Sequence, residues 1–312
     1  MNSIEKALQK QQQEAEDKAK NKAQVDESLT TNEPVETQSS IEKLQAQETL
    51  TERHNNMAKP AKSDGKVSNT KIEIDLAMLE RKGFVSTNAQ RQVINEEYRV
   101  IKRKLLDNAF GPLSKSLNNS NVIMVTSSRQ GEGKTFTAIN LALSIALEQN
   151  KTVLLVDADV LRPNIMKTLE LENEQGLMEY LLGEKENIAE VMCRTNLDNL
   201  RIISAGKSHH LSAELLASER MYDAVEEFAN RYPDRIVIVD TPPLLGINET
   251  AILANLAGQA LVVTEEFKTK LFEVEKAVQH LNPDMAIGFV VNKTEQVSLE
   301  GGGYGYYYAG AN

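Results

Sequence analysis

The sequence predicts an α/β fold with a doubly wound, mostly parallel sheet, and three observations predict it. The first is a set of short apolar runs: NVIMVT (121–126), TVLLVD (152–157), LRIIS (200–204), RIVIVD (235–240), ALVVT (260–264) and AIGFVV (286–291). Runs that are apolar throughout, rather than alternating, belong to strands covered on both faces, as in a parallel sheet. The second is that helix-periodic segments, such as TAINLALSIALEQ and MYDAVEEFANRY, separate several of the runs. That alternation places helices on both sides of the sheet. The third is that four of the runs end in Thr or Asp where a loop begins. In open α/β sheets, ligands sit outside the carboxyl ends of the strands.

The first strand leads into SRQGEGKT, Ser128–Thr135. This is the P-loop (Walker A) pattern GxxxxGK[ST], with Ser128 in place of the leading Gly. Gly131 and Gly133 let the backbone approach phosphates, Lys134 reaches the β- and γ-phosphates, and Thr135 offers a hydroxyl to magnesium. The helix that follows adds its N-terminal amides and dipole. The residues expected to hold the nucleotide are Ser128, Gly131, Glu132, Gly133, Lys134, Thr135 and Phe136, joined by Arg162 from the next motif.

That motif is VLLVDADVLRP, 153–163, with Asp157 and Asp159 at a strand end. Residues two apart on a strand share a face, so two carboxylates there repel unless a cation or hydrogen bonds compensate. Magnesium is the natural compensation beside a P-loop; strand-end turn chemistry is the plainer reading. The third motif, RIVIVDTPP (235–243), ends an apolar strand in Asp240, as a Walker B carboxylate does. Thr135 and Asp240, with the Asp157 and Asp159 pair, are the expected magnesium donors of a P-loop NTPase with Walker A, A′ and B elements.

Around this core the composition divides the chain. Residues 1–70 hold no Phe or Tyr and are rich in Gln, Lys, Glu, Asn, Ser and Thr, the composition of a disordered polar arm. Residues 71–110 form a lead-in and a helix in which Ile94, Tyr98, Ile101 and Leu105 fall on one face. That helix either packs on its own domain or docks onto a neighbouring subunit. The core is expected over 111–297. The tail, 298–312, is a flexible Gly-rich segment carrying Tyr304, Tyr306, Tyr307 and Tyr308, four of the chain's eight tyrosines. Clustered phenols beside a phosphoryl-transfer site read as phosphate acceptors; a low-complexity end is the alternative.

The net charge of −10 and pI of about 5.1 argue against nonspecific nucleic-acid binding, and no nucleic-acid partner is expected. A single cysteine, Cys193, excludes intrachain disulfides and cysteine-clustered metal sites; it reads as a buried thiol. The most apolar stretch, Ala251–Val263, is interrupted by Asn255, Gly258 and Gln259 and is short of the roughly 20 residues a membrane helix needs. With no apolar signal core near residue 1, the expected location is cytoplasmic. The adjacent His209 and His210 read as solvated loop residues.

Together these features resemble the bacterial tyrosine kinases that use a P-loop, and most closely the stand-alone tyrosine autokinases of exopolysaccharide loci. The resemblance covers about residues 72–312. Ser128 matches the leading position of that family's S-x-x-G-E-G-K-[ST] loop. Asp157, Asp159, Arg162 and Pro163 match its D-x-D-x-R-x-P motif, with Leu161 where Arg is common. ELLASERM (214–221) resembles a further family block, preceded by SHHLS rather than a Pro-rich lead-in. The oligomerisation motif E-x-x-R-x-x-R becomes Glu96, Arg99 and Lys102, with Arg103 adjacent.

The resemblance implies ATP and magnesium as cofactors and Lys134, Asp157 and Asp159 as the catalytic set. Asp157 would accept the proton of a tyrosine hydroxyl, and Asp159 and Asp240 would order the metal. It further implies a homo-oligomer in which each chain phosphorylates a neighbour's tail. The implied partner is a membrane chain-length determinant, a polysaccharide co-polymerase, that recruits the chain to the inner membrane face. Two other readings stay open. One is a partitioning-type ATPase switch, which often has an extra lysine early in the loop where this chain has Arg129, and in its membrane-targeting form a basic tail, whereas no Lys or Arg follows Lys293. The other is a nucleotide-bound scaffold of a polysaccharide transporter.

Overall fold

Seven strands form one sheet: β1 (Val122–Ser127), β2 (Thr152–Asp157), β3 (Met192–Arg194), β4 (Leu200–Ile203), β5 (Arg235–Asp240), β6 (Gln259–Glu265) and β7 (Ala286–Asn292). Their order is β3-β4-β2-β5-β1-β6-β7. All neighbours are parallel except β3 and β4. The computed structural model describes residues 70–86, 92–172 and 175–295. The expected polar arm up to residue 69 and the tyrosine tail lie outside these residues.

The six apolar runs are six of the seven strands, and the reason is visible in the packing. Along β1, β2 and β5 successive side chains enter different cores. Val122, Met124, Leu154, Val156, Val237 and Val239 pack on one face. Ile123, Val125, Val153, Leu155, Ile236 and Ile238 pack on the other. Each such burial contributes roughly 1.5–3 kcal/mol, so both faces demand apolar residues and alternation disappears. The missed strand, β3, is the three-residue segment MCR at the sheet's edge, too short and too mixed to show a period. It places Cys193 in the interior, as a buried cysteine outside any disulfide.

The central helix is α3 (Lys134–Ala146), in which every residue but Phe136 is buried. Two lead-in helices, α1 (Leu76–Arg81) and α2 (Val93–Phe110), share the core on α3's side of the sheet. Asp75 caps α1 by accepting from the Met78 amide at 2.8 Å. Ile74, Leu79, Phe84 and Val85 are buried in that core. Asn140 of α3 accepts from the Val85 amide at 2.6 Å. Within α2, Tyr98 and Leu105 are buried and Ile94 and Ile101 pack against them, so this helix packs on its own domain.

Lys102 follows the same inward direction. Its Nζ donates to the Ser144 carbonyl at 3.0 Å and pairs with Glu148 at 2.5 Å. Of the four residues expected to join subunits, this one is buried against its own domain. Arg99, paired with Glu96 at 3.1 Å, and Arg103 are exposed.

One of the polar residues that break the apolar stretch 251–263 has a structural use. Gln259 is fully buried, donating to the carbonyls of Ser120 at 2.7 Å and Leu105 at 3.1 Å, and accepting from Asn108 at 3.1 Å. It ties α2 to the start of β6. Gln259→Leu is expected to lower unfolding stability by about 1–3 kcal/mol, the cost of stranding buried polar partners, read from denaturant midpoints.

Candidate active site at the strand ends

The chain leaves β1 at Ser127, loops through Ser128–Gly133 and enters α3 at Lys134. Gly131 and Gly133 hold φ of +89° and +99°, a left-handed region that residues with a Cβ rarely adopt. Gly133 is constrained twice, because a Cβ there would sit 1.9 Å from Asn292 Nδ2.

Side chains lace this loop from outside. Glu132, expected to contact the nucleotide, is buried and turned away from the cleft. Its Oε2 accepts from the Arg129 amide at 2.7 Å and its Oε1 from the Thr269 hydroxyl. It stiffens the loop rather than lining the site. Asn292 Nδ2 donates to the Glu132 carbonyl at 2.9 Å, and Lys293 Nζ to the Gly131 carbonyl at 2.7 Å. Sequence reading missed Asn292, Lys293 and Thr269. The signal was available for the first two, since they end a strand on the same side of the sheet as the loop.

A cleft of about 1150 Å³ opens above the loop, lined among others by Lys134, Thr135, Phe136, Asp159 and Arg162. Phe84 from the lead-in also lines it, its ring 4.7 Å from that of Phe136; no motif marked Phe84. Leu161 sits at the mouth, 42% exposed. Arg162 bonds Gln130 across it. Ser128 lies behind the loop, its carbonyl accepting from the Leu245 amide at 3.2 Å and its buried hydroxyl without a partner.

Three motifs converge at the cleft floor. Lys134 Nζ lies 2.6 Å from Asp159 Oδ2 and 3.8 Å from Asp240 Oδ1. Thr135 Oγ1 donates to Asp240 Oδ2 at 2.7 Å. Asp240 Oδ1 is fully buried and has no hydrogen-bond partner. A buried orphan carboxylate oxygen beside a hydroxyl and a second carboxylate is an oxygen donor set that fits magnesium.

Asp157 departs from its expected place. It is fully buried; Oδ2 accepts from the amides of Asn164 and Ile165, both at 3.1 Å, and Oδ1 from the Asp159 amide at 3.2 Å. The turn after β2 is folded around this carboxylate, and it is Asp159 that faces the cleft. Asp157 and Asp240 are register partners on adjacent strands.

Burial, then the charge of Asp240, pushes Asp157 up to about 7. Burial pushes Asp240 up to about 6 against the opposing pull of Lys134 and Thr135. Lys134 is opposed by burial, but Asp240 and Asp159 raise it above its ordinary value, so it stays charged. Carboxylates raised in the native state bind protons the unfolded chain has released. The associated stability is complete below the unfolded value near 4 and is lost as pH rises through 6 to 7. The metal-free chain is therefore expected to lose stability between pH 5.5 and 8 relative to Asp157→Asn, by on the order of 2 kcal/mol. Thermal melts of both proteins across that range check it; parallel pH profiles would contradict the assignment.

Comparison with known proteins agrees with this geometry. Residues 120–282, just over half of the chain, match the AAA domain family AAA_31. Tyrosine-protein kinase YwqD of Bacillus subtilis is 31% identical over 201 residues, covering 64% of this chain and 81% of the relative. Putative tyrosine-protein kinase EpsB of Ralstonia solanacearum is 35% identical over 190 residues, 60% of this chain but only 24% of the relative. The chain thus spans about a quarter of that longer protein. The kinase domain of Escherichia coli tyrosine kinase ETK superposes with a TM-score of 0.56 at 25% identity, covering 77% of this chain and 94% of that one. The BceF tyrosine kinase domain does so with 0.57 at 26%, covering 68% and 86%. Sequence relatives and superposed kinase domains lead to one conclusion: the chain belongs to the bacterial P-loop tyrosine kinase family.

Proposed function

We propose that the chain is an ATP- and magnesium-dependent protein-tyrosine kinase that phosphorylates the tyrosines of its own C-terminal cluster, in trans within a homo-oligomer. The observation that carries the proposal is the linked set of polar contacts at one cleft floor, Lys134 with Asp159 at 2.6 Å and with Asp240 at 3.8 Å, and Thr135 with Asp240 at 2.7 Å. In this reading the P-loop amides and Lys134 hold the triphosphate, and Thr135, Asp159 and Asp240 hold magnesium. The metal would supply neutralisation of charge on the phosphates as the γ-phosphoryl group moves.

The residues present contribute chiefly position and charge. Lys134 is free to leave Asp159 for the phosphates. Asp159, released and facing the cleft, then joins Thr135 and Asp240 as a magnesium ligand in this reading. Asp157 holds the Asp159 amide and so sets where that carboxylate stands. This assigns Asp157 a positioning role in place of the direct proton acceptance expected from the family pattern.

The acceptors are Tyr304, Tyr306, Tyr307 and Tyr308. Each phosphate adds roughly −1.5 to −2 charges at neutral pH, so accumulated phosphate on an already acidic chain loosens the oligomer. Exposed Arg99 and Arg103 on α2, with the Glu96 pair, provide the proposed subunit contact. A membrane polysaccharide co-polymerase is the proposed partner, recruiting the kinase to the inner membrane face, where the phosphorylation cycle regulates exopolysaccharide chain length and export.

Incubation of the full chain with ATP and magnesium, followed by phosphosite mapping, tests the reading. Phosphate is expected within 304–308, and Lys134→Met is expected to lower its rate by at least about 100-fold, the scale of losing a principal transition-state charge contact. Asp159→Asn is expected to cost more than Asp157→Asn. ATP consumption without phosphotyrosine would replace the kinase by a nucleotide-driven switch.

A further inference from the structure

A second polar site lies at the opposite end of the sheet. Arg235 begins β5 and Thr152 begins β2, whereas the P-loop follows the carboxyl end of β1. Six-residue strands separate the two ends by roughly 20 Å. There a cavity of about 300 Å³ is lined by four arginines, Arg194, Arg201, Arg231 and Arg235, together with Tyr232. The carboxylates in the lining are Glu227, already paired with Arg231, and Asp234. Four guanidinium groups against two carboxylates make a cationic pocket in a chain of net charge −10.

Two features show that this arrangement is unbalanced in the chain by itself. Arg194 and Arg201 are direct partners across the antiparallel β3–β4 pair, so their side chains leave the sheet on the same face. Like charges directly opposed on a sheet are destabilising unless something lies between them. Arg235 is 8% exposed and its Nε is buried with no hydrogen-bond partner. A stranded guanidinium donor is costly, and Arg235 instead lies over the Tyr232 ring, 3.9 Å from its centre. Arg201 directs one nitrogen to the carbonyls of Asp198 and Leu200, at 3.1 and 3.2 Å. Burial, and for each the charge of a neighbouring arginine, lowers both Arg201 and Arg235 from their ordinary values.

We propose that this arginine-lined cavity is a binding site for a phosphate-class dianion, distinct from the P-loop. Forked guanidinium groups match phosphate oxygens in pairs, and one dianion supplies the charge that Arg194, Arg201 and Arg235 lack. Two sources carry that chemistry: free phosphate, and phosphate on a tyrosine of a chain's tail. The site itself stands independently of the kinase reading.

The test uses the full chain with the P-loop filled by ADP and magnesium, at ionic strength fixed with chloride. Calorimetric titrations with inorganic phosphate and with a synthetic peptide of residues 298–312, with and without phosphate on Tyr306 and Tyr307, give the affinities. Phosphate binding is expected, and Arg194→Ser/Arg201→Ser is expected to weaken it at least about tenfold with ADP affinity unchanged. The same double variant is expected to melt higher than the parent without phosphate, because the opposed charges are gone. Arg194→Ser, at an exposed position, repeats the test should the double variant fold poorly. Phosphopeptide binding tighter than phosphate identifies the tail as the source; equal affinity identifies the free anion. Binding no stronger than chloride, or undiminished in both variants, overturns the proposal.

Discussion

Three carboxylates crowded onto the ends of two neighbouring strands are the constraint that the site depends on. Asp157 and Asp240 face each other in register, Asp159 follows two residues later, and all three are buried. Buried carboxylates are tolerated only with partners. Asp157 takes three backbone amides, which forces the turn after β2 to wrap around it. Asp240 takes Thr135, and Asp159 takes Lys134. Because Lys134 and Thr135 open α3, the helix must start where those carboxylates are. Its almost complete burial then fixes the rest of that face, including α2 and the lead-in segment packed over it.

The loop between β1 and α3 has its own support, and it comes from late in the chain. Glu132 is held by Thr269, the Glu132 carbonyl by Asn292, and the Gly131 carbonyl by Lys293. Lys293 also pairs with Glu265 at the end of β6. The outer strands β6 and β7 therefore act as a buttress for the phosphate-binding loop. The residues that brace it stand immediately before the segment that carries the terminal tyrosines.

Most of the architecture was legible because burial on both faces writes itself into sequence as unbroken apolar runs. What escaped did so for identifiable reasons. β3 is an edge strand of three residues, which leaves no pattern to read. Lys102 was expected at a subunit contact because it aligns with the family's oligomerisation motif; its long stem instead lets the ammonium reach the α3 carboxyl end and Glu148. Asp157 and Glu132 were recognised as site residues from their motifs, but a motif fixes position along the chain and not the direction of a side chain. Both turn inward to hold backbone amides, and only the fold shows it. Phe84 reaches the cleft from the lead-in, far in sequence from every motif.

The two ends of the sheet carry opposite charge, and the parallel arrangement makes this possible. All strands but β3 point the same way, so residues closing strands collect at one end and residues opening them at the other. Asp157 and Asp240 close β2 and β5; Arg201 and Arg235 lie at the openings of β4 and β5. The antiparallel β3 brings Arg194 to that same opening end because its direction is reversed. A carboxylate floor suited to a metal-bound triphosphate and an arginine floor suited to a bare dianion thus stand roughly one strand length apart on a shared rigid core. β5 connects them directly, with Arg235 and Asp240 as its first and last residues. Chemistry that consumes a triphosphate at one end and a site that holds a phosphate at the other would share that strand as their common support.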